Sequence, residues 1–414
     1  MFNDEHGTHK RVIKRRYIAF FCAAAMLFST LLSTSELFSR SQFAAMSTTF
    51  GKNDDVTVMI YMCASDLESE DGSATDDILE MLSADIPSNV RVVIQTGGTL
   101  KWRRFKISSE HSQRYVIADN QLVLVDDTLP QLDMTAPETL EDFVSWSSKS
   151  YPAKRNILLF WGHGGGAVEG YGYDEFQEYS ASLTLDEMRG AILSTGVFFD
   201  FIGFDTCLMG GLETAYALRI SANYLLASED FESGYGWDYK RWLETLGKDT
   251  SVDTVALTRI LAEDFLIESQ KNDAAAVLAL VDLYEAENLY EAWKNFAYTA
   301  PRASLIPRIT HATSTARYPL GDTMASCGIT DLLEAAKKAN TSQANKLIEA
   351  AESAIIFRSA SAENADMCGL SVTLPFLTAD FYPRMKSIYL NCGIDAEYVS
   401  WLAGFSPHHI KSAA

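Results

Sequence analysis

The 414-residue chain is 47% hydrophobic and 11% aromatic, enough to bury one large core or one core with an appended subdomain, which excludes a disordered polymer. Its formal charge is −21, and since the first fifty residues hold six Lys/Arg against three Asp/Glu, the remainder stands at −24. A body that acidic repels nucleic acid; its field favours cationic partners or basic peptides, and it also keeps a protein soluble. The six cysteines, at 22, 63, 207, 327, 368 and 392, have no spacing that suggests a metal knuckle or a disulfide framework, and Cys63 and Cys368 read as core residues inside apolar runs.

In chain order, Lys10, Arg11, Lys14, Arg15 and Arg16 precede the uncharged run of residues 17–32, which predicts an export segment with its basic flank held in the cytoplasm. The run suits a long signal-peptide core, with small residues near Ala44 and Ala45 for cleavage, or a short membrane anchor. Cys22 lies too early in it for lipid attachment, and a buried helix of the folded domain fits the basic flank poorly. A Ser/Thr-rich tether follows. Val56–Cys63 is a continuous apolar run with the β-branched character of a central strand. The loop after it carries Asp66, Glu68, Glu70 and Asp71. Its oxygen density suggests calcium, but Asp71 stands where an EF-hand turn needs glycine, so a solvated loop is expected.

Residues 75–84 have helical periodicity, and Arg91–Thr96 before Gly97-Gly98 is a second strand. Pieces at 101–107, 113–117 and 121–125 predict antiparallel hairpins at the sheet margin. Pro137 opens a helix to about Ser148. Strand and helix then alternate: a strand at Ile157–Trp161, a helix at Leu183–Leu193, a strand at Phe199–Phe204, a helix at Gly211–Ser221 and a strand at Tyr224–Ala227. This rhythm predicts a mostly parallel sheet with helices on both faces. Beyond it 251–270, 284–298, 331–338 and 342–358 read as helical, Ala275–Asp282 and Gly369–Phe376 as strands, and 381–403 as short helices. The expected division is an export and tether segment at 1–50, a core at 51–245, and a largely helical part at 246–414 that returns a strand at about 369–376 to the core.

Two of these strands end in reactive groups among glycines. His163 follows Asn156–Gly162 and precedes Gly164–Gly166; Cys207 follows Phe198–Thr206 and precedes Gly210 and Gly211. In a parallel sheet both loops lie at the carboxyl edge, where ligands bind, so the pair reads as base and nucleophile. A helix starting near Gly210 points its positive end at the sulfur, and Gly164 and Gly165 let backbone amides approach an oxyanion. The bland alternatives are a packed strand cysteine and a loop histidine. His6 and His9, His408 and His409, and His111 and His311 lack this setting, and no second His or Cys clusters with His163 to make a metal site.

Leu158–Gly166 together with Ile202–Met209 resembles the His and Cys motifs of the clostripain family of cysteine peptidases, relatives of the caspases, legumain and gingipains. Val56–Met62, the stretch from Ala227 to Trp237 and Gly369–Pro375 are similar to it too, so the resemblance spans roughly 55–376. It implies a caspase-like α/β/α sandwich and a His163–Cys207 dyad with no required third residue. It also implies an oxyanion hole from the Gly164 and Cys207 amides, and Asp205 at the floor of the pocket for the residue before the cleaved bond. A desolvated carboxylate there pairs best with Arg or Lys; the alternative for Asp205 is a turn-forming or helix-capping role. Glu229 and Asp230 are further pocket candidates. The family is often matured by a cut after a basic residue between the two motifs, but Ala167–Glu187 holds no Lys or Arg, and the first basic residue after His163 is Arg189.

The resulting expectation is an exported, extracytoplasmic cysteine endopeptidase acting on peptides with basic residues. It needs no cofactor, calcium lacking a clear site, and it touches a membrane only if residues 17–32 are retained. A silent caspase-like surface binding protein, or a Cys-dependent acyltransferase or amidase on the same scaffold, would use the same sequence features.

Overall fold

Val56, Val58, Met59, Ile60, Tyr61 and Met62 are all fully buried, which only a central strand covered on both faces allows. They lie in β1 (Asp54–Cys63). The computed structural model describes residues 54–177, 182–306, 328–376, 378 and 380–407. The predicted export segment at 17–32, the tether, Cys22, Cys327, His311 and the tail histidines lie outside the described residues. The described residues form one compact unit. Among the described residues no helix is long and apolar enough to cross a membrane.

Among the described residues ten further strands follow: β2 (Val90–Gly97), β3 (Gln113–Ala118), β4 (Gln121–Asp126), β5 (Ala153–Trp161), β6 (Phe199–Asp205), β7 (Ala222–Ala227), β8 (Val277–Asp282), β9 (Ile329–Asp331), β10 (Ile355–Ala360) and β11 (Ser371–Thr373). Nine of the strands form one sheet in the order β10-β8-β7-β6-β5-β1-β2-β3-β4. Its centre is parallel, β1 pairing with β2 and β5, then β5 with β6 and β6 with β7, while both margins are antiparallel. From β1 the chain builds first toward β2 and later, through β5, to the other side. The crevice between β1 and β5 is therefore the switch point at which open α/β sheets bind ligands.

Side chains alternate across β1 with period two. Val56, Val58, Ile60 and Met62 face a core shared with α1 (Ser73–Ser83), α5 (Lys240–Lys248) and α6 (Thr254–Lys271). On the other face Tyr61 packs on Phe143, with ring centroids 5.8 Å apart, and Thr57 Oγ1 donates to the Tyr151 carbonyl. That face is covered by α2 (Pro137–Ser150), α3 (Leu185–Thr195), α4 (Leu212–Leu218), α7 (Ala286–Thr299) and α8 (Ser342–Ala354), each touching the next. Each large apolar side chain buried this way contributes about 1.5–3 kcal/mol. The result is an α/β/α sandwich, closed at the carboxy terminus by α9 (Phe381–Asn391) and α10 (Ala396–Leu402).

Three segments depart from the sequence expectation. Residues 101–107 form no strand: the Arg103 amide donates to the Glu68 carboxylate at 2.6 Å instead of to a neighbouring strand, and Trp102 and Ile107 fill the core. The helix expected to reach 358 ends at Ala354, where Ile355-Ile356-Phe357 begins β10 and pairs with β8. The strand near 369–376 is the short β11, which pairs with β9 in a separate two-stranded ribbon; β8 and β10 are the strands that extend the main sheet from beyond residue 245. One parallel bridge, Gly211 to Ser371, links that ribbon to the loop after β6.

Candidate active site

β5 and β6 pair with Trp161 opposite Asp205, so His163 and Cys207 stand two residues beyond the same rung of adjacent parallel strands. Gly162 N–H donates to the Asp205 carbonyl at 3.3 Å and carries the pairing one residue further. At Gly164 the two loops touch: a Cβ there would clash with the Cys207 carbonyl oxygen and with Thr206 Oγ1. A bridge between Gly164 and Tyr171 folds the His163 loop back, its two bonds being Gly165 N–H to Gly170 O and Gly172 N–H to His163 O. Gly164's own amide takes no part in that bridge. Tyr171 holds the strand ends together, with its hydroxyl 2.8 Å from the carbonyls of both Tyr61 and Trp161.

The Cys207 loop hangs from the chain that continues β7. Leu208 N–H donates to Asp230 O at 3.0 Å and Gly210 N–H to Ser228 O at 2.6 Å, while Leu208 is held at φ +64°, a conformation a leucine adopts only under such constraint. The Glu232 amide donates to Cys207 Sγ at 3.3 Å. An N–H aimed at sulfur favours the thiolate.

His163 has a partner absent from the sequence expectation. Its Nε2 lies 2.7 Å from Asp66 Oδ1, and both side chains are mostly shielded from water. Burial opposes ionisation of Asp66, but the bonds from His163 and Ser65 outweigh it and hold the carboxyl below its usual range. A carboxylate only accepts, so Nε2 is the donor of this pair. The acidic loop is only partly solvated: Glu70 and Asp71 are exposed, but Glu68 is fully buried and accepts from Thr75 N, Thr75 Oγ1 and Arg103 N at 2.6–2.8 Å. With Asp66 and Glu68 so engaged, two of the four carboxylates considered for calcium are committed elsewhere.

Asp205 ends β6 beneath this arrangement. Its Oδ2 accepts the Tyr239 hydroxyl at 2.8 Å and lies 3.5 Å from Trp237 N, and burial pushes its carboxyl up to about 7. Two further carboxylates lie beside it. Asp77 accepts the Trp161 indole N–H at 2.5 Å, and Asp77 and Glu232 are both pushed well up by burial first and the Asp205 charge second. Gly236, at φ +64°, comes close to both: a Cβ there would lie 3.3 Å from Asp77 Oδ2 and 3.5 Å from Asp205 Oδ1. Glu229 and Asp230, the other sequence candidates, bond elsewhere: Glu229 Oε1 accepts Gly369 N–H at 2.5 Å, and Asp230 Oδ2 accepts Asn364 Nδ2 at 3.1 Å. Glu232, two residues on, lies against Asp205 instead.

The family model described as the clostripain family matches residues 60–396. The chain belongs to the clostripain family. Clostripain of Hathewaya histolytica is 25% identical over 302 residues, 59% of this chain, and the match spans 56% of clostripain's own length. Two solved structures are similar in fold. One is a secreted C11 cysteine protease from Bacteroides thetaiotaomicron in complex with an irreversible peptide inhibitor, with TM-score 0.63 and 17% identity over 83% of this chain and 100% of that one. The other is an inactive zymogen C11 protease from Parabacteroides distasonis, with TM-score 0.61 and 20% identity over 82% and 96%. The fold is thus the caspase-like sandwich that the sequence resemblance implied.

In this clostripain-family chain the remaining described histidine, His111, bonds Ser108 Oγ at 2.8 Å far along the chain from either strand end. Among the described residues, Glu229, Asp331 and Cys368 place three potential metal-ligand atoms within 4.8 Å of one another.

Proposed function

We propose that the protein is an exported cysteine endopeptidase that cleaves after Arg or Lys with His163 as base and Cys207 as nucleophile. The observation that carries this reading is the shared register of β5 and β6, which ends both strands at one rung and leaves Gly164 against the Cys207 backbone. Asp66 orients His163 through Nε2, so Nδ1 takes the thiol proton. The sulfur then attacks the scissile carbonyl carbon. The Gly164 and Cys207 amides receive the oxyanion, and collapse breaks the C–N bond as the imidazolium returns its proton to the leaving amine. Water, deprotonated by the same imidazole, hydrolyses the thioester and regenerates the thiol.

Specificity rests on the acidic group of Asp205, Asp77 and Glu232. Three carboxyls held together away from water resist full ionisation, and a guanidinium or ammonium entering the pocket relieves that repulsion while making charge-assisted bonds. Ala167–Glu187 has no basic residue, so such an enzyme would not cut itself there and would work as one chain. The basic flank and apolar run at 17–32 support export, as does the likeness to a secreted protease. A cleavage profile over a peptide library with every residue before the scissile bond tests the whole reading. Arg and Lys should dominate; no cleavage, or a profile led by apolar residues, would discard it.

A further inference from the structure

We propose that Glu229, Asp331 and Cys368 form a zinc-type divalent cation site that clamps the β9–β11 ribbon to the floor of the Cys207 loop. Their ligand atoms lie within 4.8 Å of one another. A tetrahedral zinc ion about 2.0–2.3 Å from sulfur and carboxylate oxygen needs donors about 3.4–3.6 Å apart, so small side-chain adjustments suffice. A second observation points the same way. Glu229 is fully buried; its Oε1 accepts Gly369 N–H, but Oε2 has no hydrogen-bond partner among the described residues. A buried carboxylate oxygen left unfilled is one a cation would satisfy.

The surroundings have the form of a ligand cradle. Asp331 Oδ2 accepts Cys368 N–H at 2.5 Å and Oδ1 accepts Leu333 N–H at 2.8 Å, so backbone amides fix both carboxylates and leave each a lone pair. Asp331 is half-buried and supplies the way in, whereas Glu229 and Cys368 are closed off. The donor set selects the metal. Calcium and magnesium take all-oxygen shells, while a thiol beside two carboxylates suits a borderline-soft ion such as zinc. The acidic loop after β1 offers no such set.

The three ligands come from separate parts of the chain: Glu229 just past β7, Asp331 from the end of β9, and Cys368 ahead of β11. Glu229 N and Ser228 O lie against Gly210, whose carbonyl accepts Ser371 N–H at 2.9 Å. An ion joining them would therefore brace the loop that presents Cys207. This inference stands apart from the peptidase reading, since it concerns metal content and not turnover.

The test equilibrates the full-length protein with zinc, removes free metal, and measures bound metal by mass spectrometry, with cobalt as a second probe for its sulfur-to-metal charge-transfer band. The proposal expects one zinc per chain, a thiolate band with cobalt, and a lower Tm on chelation. Cys368→Ser and Glu229→Gln should each weaken binding by more than the about 10–100-fold that follows removal of an outer hydrogen-bond partner. Should a variant fail to fold, the wild type decides: zinc should protect Cys368 from a thiol reagent, located by peptide mapping, and chelation should expose it. Less than stoichiometric zinc, unchanged binding in folded Cys368→Ser, or labelling of Cys368 indifferent to zinc would overturn the site.

Discussion

The ends of β6 and β7 both carry buried carboxylates, yet the two groups would suit different cations. Beyond β6, Asp205 sits with Asp77 and Glu232 beside Gly236; its Oδ2 is held by the Tyr239 hydroxyl. Beyond β7, Glu229 sits with Asp331 and Cys368 in a cradle of three backbone amides, and one donor is sulfur. Buried negative charge is costly in either place unless something positive arrives. The difference would lie in what arrives: a planar or pointed side-chain cation brought by a substrate in the first case, a compact metal ion in the second. Chemistry and cradle, rather than acidity, would distinguish a specificity pocket from a clamp.

The sharpest way to break this comparison is to neutralise one group at a time. Asp205→Asn removes a charge-assisted bond worth about 2–4 kcal/mol in a partly dry pocket, so the ratio of kcat/KM for an Arg over a Leu substrate should fall by about two orders of magnitude. Glu229→Gln should leave that ratio unchanged, and equal loss on both substrates in Asp205→Asn would make Asp205 a brace for the Cys207 turn. A smaller effect belongs to Asp66, which serves neither group. Asp66→Asn should lower kcat about 10- to 100-fold with KM nearly constant, because it loosens the base without touching the pocket; unchanged kcat would mean that His163 needs no third residue.

The smallest effect is on stability. Asp205 titrates near 7 in the folded protein against about 3.9 when unfolded, so the folded state binds the extra proton between those values and stability falls as pH rises through that window. Asp205→Asn should have the higher Tm at pH 8, with the gap closing toward pH 4. A gap independent of pH would show that the gain is not electrostatic.

The parallel core was legible because the inner stretches of β1, β5 and β6 are buried on both faces and are written in mostly apolar residues, and because glycines follow where β5 and β6 end. Their rung-to-rung register was not, since pairing between distant strands leaves no local trace. Asp66 stayed hidden among four acids of one loop, where only the fold decides that one meets His163 and another, Glu68, is buried. Glu232 was missed for a related reason. The chain leaves extended geometry after Ala227, so alternation no longer tells which of Glu229, Asp230 and Glu232 faces Asp205. At 355–360 the helical run of α8 flows into β10 without a Gly or Pro to mark the change.

Turnover of a fluorogenic Arg peptide by the full-length protein, beside Cys207→Ala and His163→Ala, tests the central claim most directly. Both residues stand in loops past the strand ends, so each variant should keep the wild-type fold by circular dichroism and lose peptide hydrolysis altogether. Hydrolysis at the wild-type rate by either folded variant would contradict the account.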